Sequence, residues 1–202
     1  IGDCEPAPCD ILNSNKEPGP KCACLYGFEG KVTWSGGLAE GYCKPLSCTG
    51  LHSNNKNGPE CGCVHGYNGT VKLEKSGFAF IDSSLTAHCE PVPCTVEASN
   101  QQPGPDCACK DGYIGSITWD GALPSGTCLP APCSIANSNM EPGPSCKCAD
   151  GFGGLVEWKG SVPSGNCEPV ECRIENSDYA EGPACACLSG FYGQITWRGT
   201  VP

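Results

Sequence analysis

Apolar and polar residues alternate over short stretches that recur along the chain. Val156 and Trp158, and likewise Ile195 and Trp197, flank a single polar residue. Alternation with a period of two predicts a short strand with one buried face. A glycine such as Gly160 follows two residues later and lets the chain fold back, so each stretch predicts a β-hairpin. No stretch has the apolar period of a helix, and we expect almost no helix.

The strand pattern belongs to a larger repeat. The cysteines follow the spacing C-x4-C-x12-C-x-C five times, and successive copies begin 39 residues apart, except that seven extra residues before Cys89 lengthen the second copy. Self-similarity at a fixed period indicates an array of modules. All copies share C-x-P-x-x-C, then S-[ND], then G-P-x-C-x-C-x-x-G-[FY]-x-G. The shared Gly-Pro pair predicts a turn that leads into C-x-C.

The spacing gives boundaries for the modules. Module 1 covers residues 9–47, module 2 residues 48–93, module 3 residues 94–132, module 4 residues 133–171 and module 5 residues 172–202, with residues 1–8 ending a module begun in a preceding unit. Module 5 would be completed by a following unit. A module this small is not stabilised by a hydrophobic core alone. We expect two disulfides per module, each contributing about 2 to 4 kcal/mol.

Composition defines the class of protein. The 202 residues include 20 Cys, 28 Gly and 19 Pro, which is typical of a disulfide scaffold. Such a scaffold forms in an oxidising compartment, so we expect a mature secreted protein in the extracellular space or at the cell surface. No apolar stretch is long enough for membrane insertion. The net charge of -10 argues against nucleic acid as a partner, because its phosphates are bound by clustered Lys and Arg.

Nothing in the sequence assembles into a catalytic or metal site. There is no nucleophile with a neighbouring base, no repeated pair of acids and no phosphate-binding loop, so we expect a protein that is not an enzyme and has no cofactor. His52, His65 and His88 all lie in module 2. Their spacing is not that of metal ligands, and we expect no metal.

Two known module families share parts of the repeat. The run CACLYGFEG at residues 22–30 resembles the ending of epidermal growth factor (EGF)-like modules, and the junction CEPVPC at residues 89–94 is similar to those of sushi modules. The repeat departs from the EGF-like pattern in having four cysteines instead of six, and Cys43 follows Gly30 by 13 residues. Tandem repeats of this mixed kind resemble cysteine-rich surface proteins of algae and other protists, including those of mastigonemes, the filaments on flagella. The resemblance implies a small disulfide-rich fold, mostly irregular with short β-hairpins, in a linear tandem array of five EGF-like modules.

The resemblance leaves two disulfide schemes open. Cys22 and Cys24 are poorly placed to bond each other and need different partners. An EGF-like ending implies Cys22 with Cys9 and Cys24 with Cys43, whereas a sushi-like module implies Cys9 with Cys24 and Cys22 with Cys43. Either scheme leaves residues 44–47 as a short joint in which a proline limits bending. The cysteines expected to be bridged within the chain are Cys9, Cys22, Cys24, Cys43, Cys48, Cys61, Cys63, Cys89, Cys94, Cys107, Cys109, Cys128, Cys133, Cys146, Cys148, Cys167, Cys172 and Cys185.

The two remaining cysteines, Cys4 and Cys187, suggest how units join. Module 5 stops at residues 199–202, where module 4 continues into S-G-N-C, and the chain begins with I-G-D-C. Joining tail to head restores the 39-residue step, and five such steps plus the seven extra residues account for all 202. Either the natural chain runs on through many such units, or separate chains join head to tail. In both cases we expect an inter-unit disulfide from Cys187 to Cys4 of the next unit, as Cys148 bonds Cys167. Head-to-tail addition that does not close gives a filament.

The second copy also carries two surface features. The inserted residues include Phe78, Phe80 and Ile81, and we expect this apolar loop to make a lateral contact with a neighbouring subunit. Asn68 begins the sequon N-G-T, which predicts a surface glycan in a secreted chain. The Trp of the strand pattern either fills the core of its module or contacts an adjoining module or sugar.

Two hypotheses for function follow. The first is a structural protein of an extracellular filament or surface appendage, whose partners are copies of itself in a head-to-tail polymer, with attached glycans. The alternative is a ligand-binding or adhesive ectodomain fragment made of tandem EGF-like modules. The in-register closure of the unit favours the first, whereas a deep pocket would favour the second.

Overall fold

The computed structural model describes residues 2–75 and 83–202. Within that part the chain forms short strands and 3₁₀ turns separated by irregular segments, with no α-helix. The expected fold class, a disulfide-rich tandem of modules with short hairpins, is confirmed. Contacts divide the chain into two compact units, one of Ile1–Val92 with Trp119–Leu123 and one of Pro93–Thr118 with Pro124–Pro202.

Each hairpin follows the C-x-C segment of its module. The strands are β1 (Phe28–Ser35), β2 (Leu38–Pro45), β3 (Ser47–Thr49), β4 (Tyr67–Lys75), β5 (Ser83–Pro91), β6 (Tyr113–Asp120), β7 (Leu123–Pro130), β8 (Phe152–Lys159) and β9 (Val162–Pro169). Strand β1 pairs with β2 and β8 with β9, both antiparallel, and β6 pairs with β7. The 3₁₀ turns lie at the shared Gly-Pro pairs, namely Gly19–Lys21, Gly58–Glu60, Gly104–Asp106, Gly143–Ser145 and Gly182–Ala184.

Glycines determine both the tip and the tightness of these hairpins. At the tip of β8–β9, Gly160 has φ 59°, the left-handed value that a two-residue loop needs at its first position. Near the start of β8, Gly154 lies opposite Cys167. A Cβ on Gly154 would meet the backbone carbonyl of Asn166 in the partner strand. The second glycine of G-[FY]-x-G is therefore required for strand pairing.

The core of each module is small and centred on its disulfides. In module 1 the buried residues are Cys9, Ile11, Cys22 and Cys43, with Cys24, Phe28, Val32, Trp34 and Ala39 packed against them. The Trp thus belongs to the core of its own module. The indole nitrogens of Trp119, Trp158 and Trp197 are buried without a hydrogen-bond partner in the structure, so these rings contribute by packing.

The described chain contains nine disulfides, all within modules. In module 1, Cys9 bonds Cys22 and Cys24 bonds Cys43, which is the EGF-like scheme and not the sushi-like one. The other bonds are Cys48–Cys61, Cys63–Cys89, Cys94–Cys107, Cys109–Cys128, Cys133–Cys146, Cys148–Cys167 and Cys172–Cys185. None crosses a C-x4-C joint. Cross-links of this density are typical of proteins of the extracellular space.

The shared S-[ND] pair ties the first loop of each module to its C-x-C segment. In module 1 the buried Ser14 hydroxyl donates to the carbonyl of Ile11 at 2.8 Å. The Asn15 side chain accepts the N–H of Ala23 at 3.1 Å and donates to the carbonyl of Lys21 at 3.0 Å. These bonds hold the chain on both sides of the Gly-Pro turn.

Module 2 departs from the others around its insertion. Strands β4 and β5 are nine residues long, and β3 adds to β5 in parallel. Leu85 on β5 is fully buried, whereas Leu73, which stands where the other modules have Trp, is 40% exposed. The predicted lateral contact residues Phe78, Phe80 and Ile81 lie outside the described residues.

Module 5 has Asp178 where the other modules have Asn. The N–H groups of Ala186 and Ala180 each donate to its carboxylate at 3.0 Å and hold the pKa of Asp178 below its ordinary value. In module 4 the side-chain amide of Asn139 also donates to the carbonyl of Ser145 at 3.0 Å. The carboxylate of Asp178 has no N–H with which to make the equivalent bond in module 5.

A lowered pKa in the folded state makes the stability of this loop depend on pH. The contribution of Asp178 is present above the pKa of the unfolded chain and is lost as the pH falls through the folded-state pKa. We expect the Ala186 amide of the native chain to exchange progressively faster than that of Asp178→Asn as the pH falls below about 4. Hydrogen exchange at matched pH measures this ratio. A ratio that stays constant from neutral to acid pH would contradict the prediction.

Candidate assembly site at the joints between modules

Each joint contains a proline, and at Leu46, Ala131 and Val170 the residue that follows the proline forms main-chain hydrogen bonds to two glycines, one in its own module and one in the next. In the first joint, the N–H of Leu46 donates to the carbonyl of Gly27 at 2.9 Å, and its carbonyl accepts the N–H of Gly58 at 2.7 Å. Gly27 belongs to module 1 and Gly58 to the Gly-Pro turn of module 2. Leu46 is only 2% exposed, so these bonds are shielded from water.

The same pair of bonds recurs in the second compact unit. Ala131 donates to Gly112 at 2.9 Å and accepts from Gly143 at 2.6 Å, and Val170 makes the equivalent bonds at 3.0 and 2.7 Å. Ala131 is fully buried. Because the bonds use main-chain atoms, the joint accepts Leu, Ala or Val at this position.

A second contact joins modules 2, 3 and 4 each to the hairpin tip of the module that follows. The N–H of Gly112 donates to the carbonyl of Gly160, and the N–H of Gly160 donates to the carboxylate of Asp111, both at 2.8 Å. Asp150 and the glycine after it bind Gly199 in the same way, at 2.7 and 2.8 Å. An Asp-Gly dipeptide therefore bonds both the N–H and the carbonyl of the glycine at the next hairpin tip. The bond from that N–H to the carboxylate is charge-assisted.

The side chain in this second contact varies between modules. Module 2 has His65 in place of the aspartate, and its Nδ1 lies 3.1 Å from the nitrogen of Gly121 and 2.9 Å from the carbonyl oxygen of Trp119. The main-chain bond persists, because the N–H of Gly66 donates to the carbonyl of Gly121 at 2.8 Å. Module 1 has Tyr26, whose hydroxyl donates to the carbonyl of Val71 at 3.4 Å.

The first glycine of G-[FY]-x-G serves the joint. Gly151 has φ 85°, and a Cβ built on it would lie 2.9 Å from the backbone nitrogen of Pro183 in the turn of the next module. A side chain would push that turn away. The two glycines of the motif therefore have separate tasks, since the first lets the next module approach and the second lets the hairpin strands pair.

The contacts of Asp111, Asp150 and His65 were not expected from the sequence. The two aspartates occur in only two copies, and His65 was considered only as a metal ligand, which its spacing argued against. In the described residues, no three His, Cys, Asp or Glu side chains come together to hold a metal ion. The signal that could have identified the contact is position, because all three residues directly precede the first glycine of the motif.

The remaining predicted residues lie as follows. Cys4 is exposed and Cys187 half-buried, and neither forms a disulfide within the described chain. Asn68 is exposed on β4, opposite Glu90, and accepts the N–H of Gly69 at 2.8 Å.

Where the structure describes the chain, it contains no helix long and apolar enough to cross a membrane.

Comparison of the chain with protein-family models, with curated proteins and with solved structures found no match. At the recurrent joint, one module contacts the next through main-chain atoms.

Removing the carboxylate of Asp111 is expected to weaken the joint between modules 3 and 4. In Asp111→Ala the Gly160 amide loses its acceptor, which costs about 1 kcal/mol for an exposed hydrogen bond. Hydrogen exchange should show this amide exchanging about fivefold faster. The control Asp106→Ala removes a carboxylate of the same module that lies in the Gly-Pro turn, and Gly160 should exchange as in the native chain. Equal effects of both substitutions would contradict the role of Asp111.

Crowding at the joint can be separated from backbone strain with two matched substitutions. Gly151 and Gly190 have φ 85° and 89°, so Ala is strained to the same degree at both, but only Gly151 has a neighbouring turn within 4 Å of the added Cβ. We expect Gly151→Ala to cost about 1 to 3 kcal/mol more than Gly190→Ala. The measurement compares exchange of the Phe152 amide in the first variant with that of the Phe191 amide in the second. Equal acceleration would show that the joint tolerates the methyl group.

Proposed function

We propose that the chain is a structural protein of an extracellular filament or surface appendage, extended head to tail by the joint it already repeats. The observation that carries this proposal is the polarity of the joint. One module contributes the dipeptide ending in the first glycine of the motif, and the next contributes its hairpin tip. The two contact surfaces of a module differ, so each added module presents a new surface for the next. Contacts of this heterologous kind give a filament when the rotation from one copy to the next does not close a ring.

The construction of the modules fits a protein under tension. Each complete module is closed by two disulfides, for example Cys133–Cys146 and Cys148–Cys167. Its core is too small to resist unfolding alone, whereas cross-links limit how far a stretched chain can extend. The joints add main-chain hydrogen bonds that are shielded at Leu46 and Ala131. Each module in such a series bears the full pulling force, and its own disulfides limit how far it can extend.

Continuation from one unit to the next is proposed to use Cys187 and Cys4. An ideal Cβ on Gly193 would lie 3.5 Å from the Cys187 sulfur, close to the 3.4 Å that separates the equivalent Cβ on Gly154 from the bridged Cys148 sulfur. The Cys187 thiol therefore already stands where a bridged one does. A small disulfide such as oxidised glutathione is the oxidant. It forms a mixed disulfide with one thiolate, the second thiolate displaces the remaining glutathione, and two glutathione thiols leave for each bond formed.

The setting proposed for this filament is the surface of a cell. The disulfides require an oxidising compartment, and the resemblance to EGF-like repeats of algal and protist surface filaments agrees with secretion. The exposed Asn68 is proposed to carry a glycan. Acidic residues give the chain a net charge of -10, which keeps long polymers from associating without specificity.

Oxidative assembly tests the proposal. The full chain, incubated with reduced and oxidised glutathione, should give regular fibres in negative-stain electron microscopy and a ladder of covalent oligomers on a non-reducing gel. The double variant Cys4→Ser with Cys187→Ser should lose the ladder, because no inter-unit bond can form. Native chain whose free thiols are alkylated beforehand is the matched control and should behave like the variant. Isolated native molecules under all conditions would contradict the filament and favour the ectodomain hypothesis.

A further inference from the structure

One position of the repeat holds, in module 3, a residue that its backbone conformation does not favour. Asn13, His52, Asn137 and Asn176 have φ between 59° and 63°, a left-handed value that these polar residues adopt more readily than others. Module 3 has Ala98 at the same position, with φ 57°. The alanine side chain cannot offset the strain with a local hydrogen bond. Strain kept at one copy of a repeated position points to a use for the space that the missing side chain leaves.

In modules 1 and 4 the asparagine at this position covers the closing strand of the hairpin. The side-chain amide of Asn13 donates to the carbonyl of Cys43 at 3.2 Å, and that of Asn137 donates to the carbonyl of Cys167 at 3.1 Å. Both cysteines are buried. An alanine has no amide, so the closing strand of module 3 lacks this donor and this cover.

Module 3 consequently has an open groove beside its closing strand. Cys128, which corresponds to Cys43, is half-buried instead of buried. The groove has a volume of about 580 Å³ and runs from Ala98 along residues 126–130 of β7, and Tyr113 lines it as well. It extends along the strand on both sides of Cys128, so it offers more space than one amide side chain fills.

Two charged side chains also line this groove. The Lys110 ammonium lies 4.9 Å from the centre of the Tyr113 ring, and Glu97 lines the groove next to Ala98. Both charged residues are exposed. The N–H of Lys110 donates to the carbonyl of Ala98 at 3.0 Å, which places Lys110 opposite the small residue. An ammonium and a carboxylate at one groove supply donors and acceptors for hydroxyl groups.

The other modules show which groups fit at this place. In module 2, His52 stacks on Tyr67 with the ring centres 4.1 Å apart and the planes inclined by 15°. Tyr67 and Tyr113 occupy the same position of the repeat. Asn13 shows in module 1 that an amide N–H reaches the carbonyl of the closing strand. A ligand of module 3 should therefore present a flat face to Tyr113 and an N–H to the Cys128 carbonyl.

We propose that the groove of module 3 binds a sugar that carries an acetamido group. The acetamido N–H would donate to the Cys128 carbonyl, as the asparagine amides do in modules 1 and 4. The C–H face of the sugar ring would lie against Tyr113, and the Lys110 ammonium would move from that ring to the sugar hydroxyls, which Glu97 also bonds. This binding activity goes beyond the proposed function and does not depend on it.

Filling the groove with the residue of modules 1 and 4 tests the proposal. When the native chain is titrated with N-acetylglucosamine, NMR should show shifts of the amides of residues 126–130. In Ala98→Asn the new amide takes the place of the ligand, and we expect the sugar to bind about tenfold more weakly. The Lys110 amide of this variant should exchange about fivefold more slowly with solvent, because Asn is less strained than Ala at this φ, which shows that the variant is folded. The control Tyr113→Phe keeps the ring, as in modules 1 and 4, and should bind the sugar like the native chain.

Simpler probes separate the parts of the sugar. Glucose lacks the acetamido group and acetamide lacks the ring, so each should bind about tenfold more weakly than N-acetylglucosamine. N-acetylgalactosamine is the second test sugar: binding of either acetamido sugar supports the proposal, and the tighter one identifies the kind of glycan that supplies it. Acetamide binding as tightly as both sugars would overturn the proposal and point to an amide side chain of a protein partner. Sugar binding that is absent in the native chain, or unchanged in Ala98→Asn, would overturn it as well.

Discussion

The pair of main-chain hydrogen bonds at the joint residues Leu46, Ala131 and Val170 is the constraint on which the rest of the structure depends. Leu46 and Ala131 each connect a glycine of one module to the turn of the next, and both are buried. Modules this small bury little apolar surface, so packing between large side chains cannot hold neighbours in register. Bonds between backbone groups can do so, provided that no Cβ intervenes. At every joint that the structure describes in full, the first glycine of the repeated motif has no Cβ and so leaves room for the turn of the next module.

Inside the modules the disulfides take the role that a core has in larger domains. They fix the loop before the Gly-Pro turn and the closing strand, and the S-[ND] pair connects that loop to C-x-C. With the frame fixed in this way, module 2 accommodates an insertion and replaces Trp by Leu73 without losing either disulfide. Its extra strand β3 uses the edge of β5, with Leu85 buried in that sheet.

The fold class was accessible from the sequence because period and spacing are local properties. The alternation at Val156 and Trp158 predicted a hairpin strand, and β8 has that pattern of half-buried and exposed residues. Disulfide pairing was not accessible in the same way, because Cys22 and Cys24 are one residue apart and either could face Cys9. The contact of Asp111 with Gly160 was missed because its partner lies 49 residues away and is a backbone amide, which leaves no mark in residue type. Strand β3 was missed because three residues are too few to show a period.

Recognition through main-chain atoms makes the modules interchangeable. Tyr26, His65 and Asp111 occupy one position of the repeat, and main-chain bonds join each of their modules to the next. Coding sequence for one module can therefore be duplicated, deleted or moved, and the new neighbours will still fit. Length and surface chemistry are then free to change independently of assembly. Duplication of whole modules then lengthens such a chain without a change in how its modules contact each other.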